Sequence, residues 1–150
     1  MKIVLVDDNP LLRKTMSMML TKLSYSVKSF SSAEEVIAYF KDDTSSYDLV
    51  ILDGNLAPPS FLLANKAQKN GPDIAAELLQ INKHVPIIAW TDDADMLTRF
   101  QKVLDIYDKG RLLPTLKKPP TFSDIKEVLA PYGMAADNVE GSPRARAFTL

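Results

Sequence analysis

Short apolar runs alternate along this chain with longer stretches whose apolar positions recur at helical spacing. Ile3 to Val6 is a continuous apolar run, the pattern of a strand buried on both faces, within a strand read from Lys2 to Val6. Asn9-Pro10 follows as helix cap and first helical residue, and Leu12, Met16, Met19, Leu20 and Leu23 form one stripe. Tyr25 to Phe30 reads as a weaker second strand. Ser32 and Glu35 fit a capping box ahead of Val36, Ile37 and Phe40. Leu49 to Asp53 is a third strand, and Gly71-Pro72-Asp73 starts a helix with Ile74, Leu78 and Ile81 on its inner face. Pro86 to Thr91 is a fourth strand, followed by a helix marked by Leu97, Phe100, Val103 and Leu104. Arg111 to Leu116 reads as a short fifth strand, placed at an edge because Pro114 removes a ladder hydrogen bond. Ile125, Val128 and Leu129 mark a last helix, which Pro131 and Gly133 are expected to terminate.

Strands alternating with helices predict a parallel sheet covered on both faces. Such sheets carry their ligands at the carboxyl ends of the strands. Asp7-Asp8, Asp53, Thr91 and Lys117-Lys118 fall there. If the first and third strands are neighbours, three carboxylates meet at one sheet end. Like charges held that close need a cation, and hard oxygen donors without His or Cys select Mg²⁺ or a similar ion.

Bulk properties narrow the classes. At 150 residues the chain is expected to be one domain over 1–133, with a polar tail from Met134 to Leu150 that does not fold alone. Apolar residues make up 46% and charged residues 25%, ordinary for a globular protein. The formal charge of −1 argues against direct nucleic-acid or anionic-membrane binding. Without cysteine there are no disulfides, thiolate metal sites or cysteine nucleophiles. No signal peptide is read ahead of the first strand, and no apolar run approaches the ~20 residues of a membrane span. A cytoplasmic location is the expectation.

Val4-Leu5-Val6-Asp7-Asp8-Asn9, Leu49-Val50-Ile51-Leu52-Asp53, Pro86-Ile87-Ile88-Ala89-Trp90-Thr91 and Lys118-Pro119 occur in an order that resembles the receiver domain of two-component response regulators. The resemblance covers roughly Met1 to Tyr132. It implies a flavodoxin-like fold, a five-stranded parallel sheet of order 2-1-3-4-5 with helices on both faces. It also implies a stand-alone, Mg²⁺-dependent receiver that takes a phosphoryl group onto Asp53 from a histidine kinase or histidine phosphotransferase and is not a multiple-turnover enzyme. Carried over residue by residue, Asp8 binds Mg²⁺ directly, Asp7 acts mainly through water, and Asp53 and the backbone carbonyl of Asn55 complete the ligands. Lys118 pairs with a phosphoryl oxygen, Thr91 donates its hydroxyl, and Lys118-Pro119 matches a step that is often cis. The expected state is a monomer or weak homodimer.

Four departures stand out. About ten extra residues lie within 56–70, including Phe61-Leu62-Leu63, which suits a cover over the site or a partner contact, or else a tolerated surface insertion. Asp92 stands where a small residue is usual beside Thr91. Thr115 replaces the usual switch aromatic, and Asp108-Lys109-Gly110-Arg111 replaces a small-residue turn. Asp92, Thr115 and the long insertion motivate a second reading, an atypical receiver that binds proteins without phosphate. Simpler readings remain beside the site reading: a strand-end Asp as cap or loop residue, Thr91 as a β-branched strand residue, Lys118 as a solvated lysine. The single histidine, His84, reads as a surface residue, and Met16, Met18 and Met19 as core and helix surface. An aspartate-nucleophile phosphohydrolase lacks a general acid near Asp53.

Overall fold

Five parallel strands form one sheet in the order β2-β1-β3-β4-β5. The computed structural model describes residues 1–56 and 69–133. The elements are β1 (Lys2–Val6), α1 (Pro10–Lys22), β2 (Ser26–Phe30), α2 (Ala33–Lys41), β3 (Leu49–Asp53), α3 (Gly71–Ile81), β4 (Ile87–Trp90), α4 (Ala94–Tyr107), β5 (Thr115–Leu116) and α5 (Phe122–Gly133). This is the flavodoxin-like topology expected from the motifs. Residues 57–68, with Phe61-Leu62-Leu63, and the tail 134–150 lie outside the described residues.

The apolar runs of β1, β3 and β4 are continuous because both of their faces are covered. Alternate side chains divide between two cores. Val4, Val6, Val50, Leu52, Ile87 and Ala89 face the layer of α2, α3 and α4, where Val36, Phe40, Ile74, Leu78 and Phe100 meet them. Ile3, Leu5, Leu49, Ile51, Ile88 and Trp90 face α1 and α5, against Met16, Leu20, Ile125 and Leu129. Parallel register pairs Val6 with Leu52 and Asp53 with Trp90, so the acidic ends of β1 and β3 leave the sheet side by side.

Several sequence boundaries shift, each for a local reason. β2 begins at Ser26 rather than Tyr25, since pairing starts where Lys2 meets Ser26. β4 omits Pro86 and Thr91. β5 shrinks to Thr115–Leu116 at the sheet edge, as Pro114 offers only its carbonyl, which accepts from the Ala89 N–H at 3.0 Å. Pro131 does not end α5, which runs on to Gly133. In the last turn a proline removes only one helical hydrogen bond, whose Glu127 partner is exposed to water. The α2 cap is also only half a capping box: the Ser32 hydroxyl accepts from the Glu35 N–H at 3.2 Å, but the Glu35 carboxylate accepts from the Ser31 hydroxyl at 3.0 Å.

Leu56 and Asn70, counted within the long connection, belong to the folded frame instead. Leu56 is buried in the α2–α3–α4 core, and its N–H donates to Asn70 Oδ1 at 2.9 Å. The Gly71 N–H donates to the Gly54 carbonyl at 3.0 Å. The chain therefore leaves and re-enters at one pinned point beside the end of β3. The Asn70 N–H donates to Asp73 Oδ2 at 2.9 Å, which opens α3 with an acidic first turn.

Candidate functional site

Asp7 follows the last residue of β1 and is fully buried. Its carboxylate is held on both sides: Oδ1 accepts from the Asn9 N–H at 2.8 Å and Oδ2 from Lys118 Nζ at 2.9 Å. Its carbonyl accepts from Arg13 Nη1 at 2.7 Å, so the first turn of α1 and the end of β1 brace each other. Asp53, the last residue of β3, is 4% exposed, and its Oδ1 accepts from Lys118 Nζ at 2.7 Å. Asp8 is exposed beside them. Ligand atoms of Asp7, Asp8 and Asp53 all lie within 4.8 Å of one another. The structure thus brings the three acids and the lysine together, and a single ammonium bridges two of the carboxylates from far along the chain.

The electrostatics follow from this crowding. Burial pushes the Asp53 carboxyl up to about 6, against the Lys118 hydrogen bond and with the added repulsion of Asp7. Desolvation, and then the neighbouring Asp7 charge, also raise Asp8. Burial works against the Lys118 ammonium, yet its hydrogen bonds to Asp53 and Asp7 outweigh that and raise its pKa. Three carboxylates against one lysine leave a local negative excess. All the donors are hard oxygens within a few ångströms, which fits a divalent hard cation. Asn55, whose carbonyl the family resemblance counts as a ligand, lines the same cavity of about 340 Å³.

Thr91 is buried next to the end of β4, and its Oγ1 accepts from the Asp93 N–H at 3.1 Å. That bond uses an oxygen lone pair and leaves the hydroxyl proton available. Asp92 is exposed and lines the cavity mouth. Thr115 is exposed on β5. The Asp108–Arg111 turn ties α4 to the start of β4. Gly110 takes φ +87 there, and the Arg111 guanidinium donates to the carbonyls of Val85 and Lys83. His84 is exposed. The Lys118-Pro119 peptide is cis.

Two residues at the site escape a reading of the sequence for chemistry. Asp93 caps α4 through the Asp95 and Met96 N–H groups, and it also accepts from Asn55 Nδ2 at 3.1 Å across the cavity mouth. The Asn55 hydrogen bond, then the Met96 N–H, hold its carboxyl below the usual range. Its position one turn ahead of Leu97 is a capping signal. Trp90 reads only as part of an apolar strand. Its ring lies 4.7 Å from Lys118 Nζ, and its Nε1 donates to the Lys117 carbonyl at 3.1 Å. Nothing in a linear pattern marks a contact of that kind.

Residues 3–129 match the response regulator receiver domain. The chain belongs to that family. Receiver domains are signalling domains of two-component systems, in which aspartate phosphorylation is general; they bind Mg²⁺ at an acidic pocket and interact with histidine kinases or phosphotransferases. The chain is 31% identical over 91 residues to the transcriptional regulatory protein ComA of Bacillus subtilis (strain 168), a match covering 60% of this chain and 38% of that protein. The match thus spans well under half of that relative's length. Chemotaxis protein CheY4 of Vibrio cholerae superposes with a TM-score of 0.65 at 21% identity, covering 87% of this chain and 97% of CheY4. The receiver domain of sensor histidine kinase PA1611 from Pseudomonas aeruginosa PAO1, described with a magnesium ion coordinated in its active-site cleft, does so at 0.61 and 22%, covering 87% and 95%. At these identities the two structures show the shared fold. Among the described residues, no helix is long and apolar enough to cross a membrane.

Proposed function

We propose that Asp53 is the phosphoacceptor of this receiver, served by Mg²⁺ and by Lys118 and Thr91, with a histidine kinase or phosphotransferase in the cytoplasm as donor. The observation that carries the reading is the Lys118 ammonium seated between Asp53 and Asp7, in a cavity that Asp8, Asn55 and Thr91 complete. An Asp53 carboxylate oxygen forms the new O–P bond while the N–P bond of the donor phosphohistidine breaks. The bonding pair leaves on the imidazole nitrogen. Little covalent work falls to other side chains, so positioning and charge neutralisation carry the step. Asp7, Asp8, Asp53 and the Asn55 carbonyl would hold Mg²⁺, which supplies divalent charge to neutralise the phosphoryl oxygens. Lys118 pairs with a phosphoryl oxygen as the Asp53 oxygen it now binds loses charge. Thr91 offers its hydroxyl proton to another, since its lone pair already faces Asp93. The product is an acyl phosphate that the domain loses slowly by hydrolysis.

Incubation with Mg²⁺ and phosphoramidate, followed by intact mass measurement, tests this. Wild type gains one phosphoryl group and Asp53→Ala gains none; beryllofluoride binding follows the same pattern. Equal modification of both proteins refutes the assignment.

Asp92 at the cavity mouth and the exposed Thr115 favour a second reading, a receiver fold that binds a protein partner without phosphate. On that reading Asp53→Ala leaves partner binding unchanged in a pull-down with the cognate partner, and a large loss of binding counts against it.

A further inference from the structure

Trp90 is the chain's single tryptophan and is fully buried at the end of β4, in register with Asp53. A buried indole needs a partner for its N–H. Here the partner is the Lys117 carbonyl, at 3.1 Å, one residue before Lys118. The same ring presents π density to the Lys118 ammonium, 4.7 Å from the centroid. One side chain therefore fixes both ends of Lys118: the backbone from which it departs, through Nε1, and the charged tip, through the ring. These two contacts differ from the carboxylate contacts in one respect. The Asp53 contact weakens when that carboxylate becomes an acyl phosphate, and a cation held by the three acids would compete with Lys118 for Asp7. The ring neither titrates nor coordinates, so its attraction for the ammonium persists through both changes.

We propose that Trp90 is a positioning residue for phosphoryl transfer, holding the Lys118 ammonium in place while Asp53 loses its charge and a cation draws on Asp7. The inference rests on Asp53 being the phosphoacceptor. Trp90 acts through Lys118 and not on the reacting atoms.

The test is a double-mutant comparison of the phosphorylation rate with saturating phosphoramidate and Mg²⁺, using Trp90→Leu and Trp90→Phe in the wild-type and Lys118→Met backgrounds. A desolvated cation–π contact predicts that Trp90→Leu slows phosphorylation roughly three- to thirtyfold in the wild-type background. In the Lys118→Met background the same change is expected to cost under about twofold, because the charge it positions is gone. Trp90→Phe keeps a ring face and rescues most of the loss. If circular dichroism shows Trp90→Leu unfolded, the smaller loss from Trp90→Phe is compared across the two backgrounds instead, and its disappearance with Lys118→Met supports the proposal. A loss of equal size in both backgrounds, or no loss in either, overturns the positioning role while leaving Asp53 as acceptor. A wild type that takes up no phosphoryl group overturns the acceptor assignment, and the inference falls with it.

Discussion

A carboxylate able to hold a cation and receive a phosphoryl group is also a buried charge that the fold must tolerate. Asp53 shows the conflict directly, because burial raises its carboxyl to about 6. In the unfolded chain an aspartate sits near ~3.9. The folded value lies above the unfolded one, so protonated Asp53 stabilises the fold. That contribution is fully present below the unfolded value and is lost as pH rises through about 6. In chelator, stability at this group should therefore fall between pH 4 and pH 6 by an amount on the order of 2 kcal/mol. Asp53→Asn removes the titrating charge. It is expected to raise the midpoint of urea unfolding at pH 7 and to flatten the pH dependence across that window. An unchanged slope would place the titration on another group. Asp92 poses the opposite case, an exposed charge at the cavity mouth. Asp92→Ala should speed phosphorylation by phosphoramidate roughly two- to fivefold at low ionic strength, with the gain shrinking as salt screens it, read as initial rates in a salt series.

At the scale of elements, the connection between β3 and α3 depends on one close approach. A Cβ at Gly71 would overlap the Asp53 carbonyl oxygen and crowd Phe100 Cζ. Gly71→Ala must push the start of α3 away from the site, which should cost about 3 kcal/mol in chemical denaturation and slow phosphorylation as well. Gly110 is the contrast: φ is +87 and nothing lies within 4 Å of the added carbon. Gly110→Ala should cost only about 1 kcal/mol of backbone strain and leave phosphorylation unchanged. The elements themselves were legible because buried parallel strands are continuous apolar runs, and because Asn9-Pro10 and Gly71-Pro72-Asp73 are local capping chemistry. The strand-end acids were legible for the same reason, since strand ends fix where Asp7 and Asp53 emerge. Other features depend on contacts between distant segments. Leu56 joins the core through a hydrogen bond to a residue beyond the long connection, and the short β5 reflects what β4 can pair with past Pro114. Asn55 to Asp93 and Trp90 to Lys118 join different strand ends, and no periodicity along one segment encodes them.

On the scale of the whole molecule, a formal charge of −1 conceals an uneven distribution. Asp7, Asp8 and Asp53 converge at one end of the sheet, and Lys118 is the ion-pair partner of Asp7 and Asp53 among the described residues. The fold brings these acids together from distant parts of the chain, so cation binding and folding stability must be linked. An ion that binds the folded state alone adds RT ln(1 + [L]/Kd), about 1.4 kcal/mol at tenfold over Kd. Mg²⁺ should therefore raise the thermal midpoint of the wild type at pH 7. The rise should shrink toward pH 5, where protons occupy Asp53 ahead of the metal. Asp8→Ala should abolish most of it, because Asp8 is the exposed acid of the three and is not tied to Lys118. K⁺ at matched ionic strength should not reproduce it, which separates specific divalent binding from general screening. Thermal melts with Mg²⁺ and K⁺ at the two pH values, for wild type and Asp8→Ala, decide the matter. An equal rise in both proteins would mean that the stabilising ion sits elsewhere than among these three carboxylates.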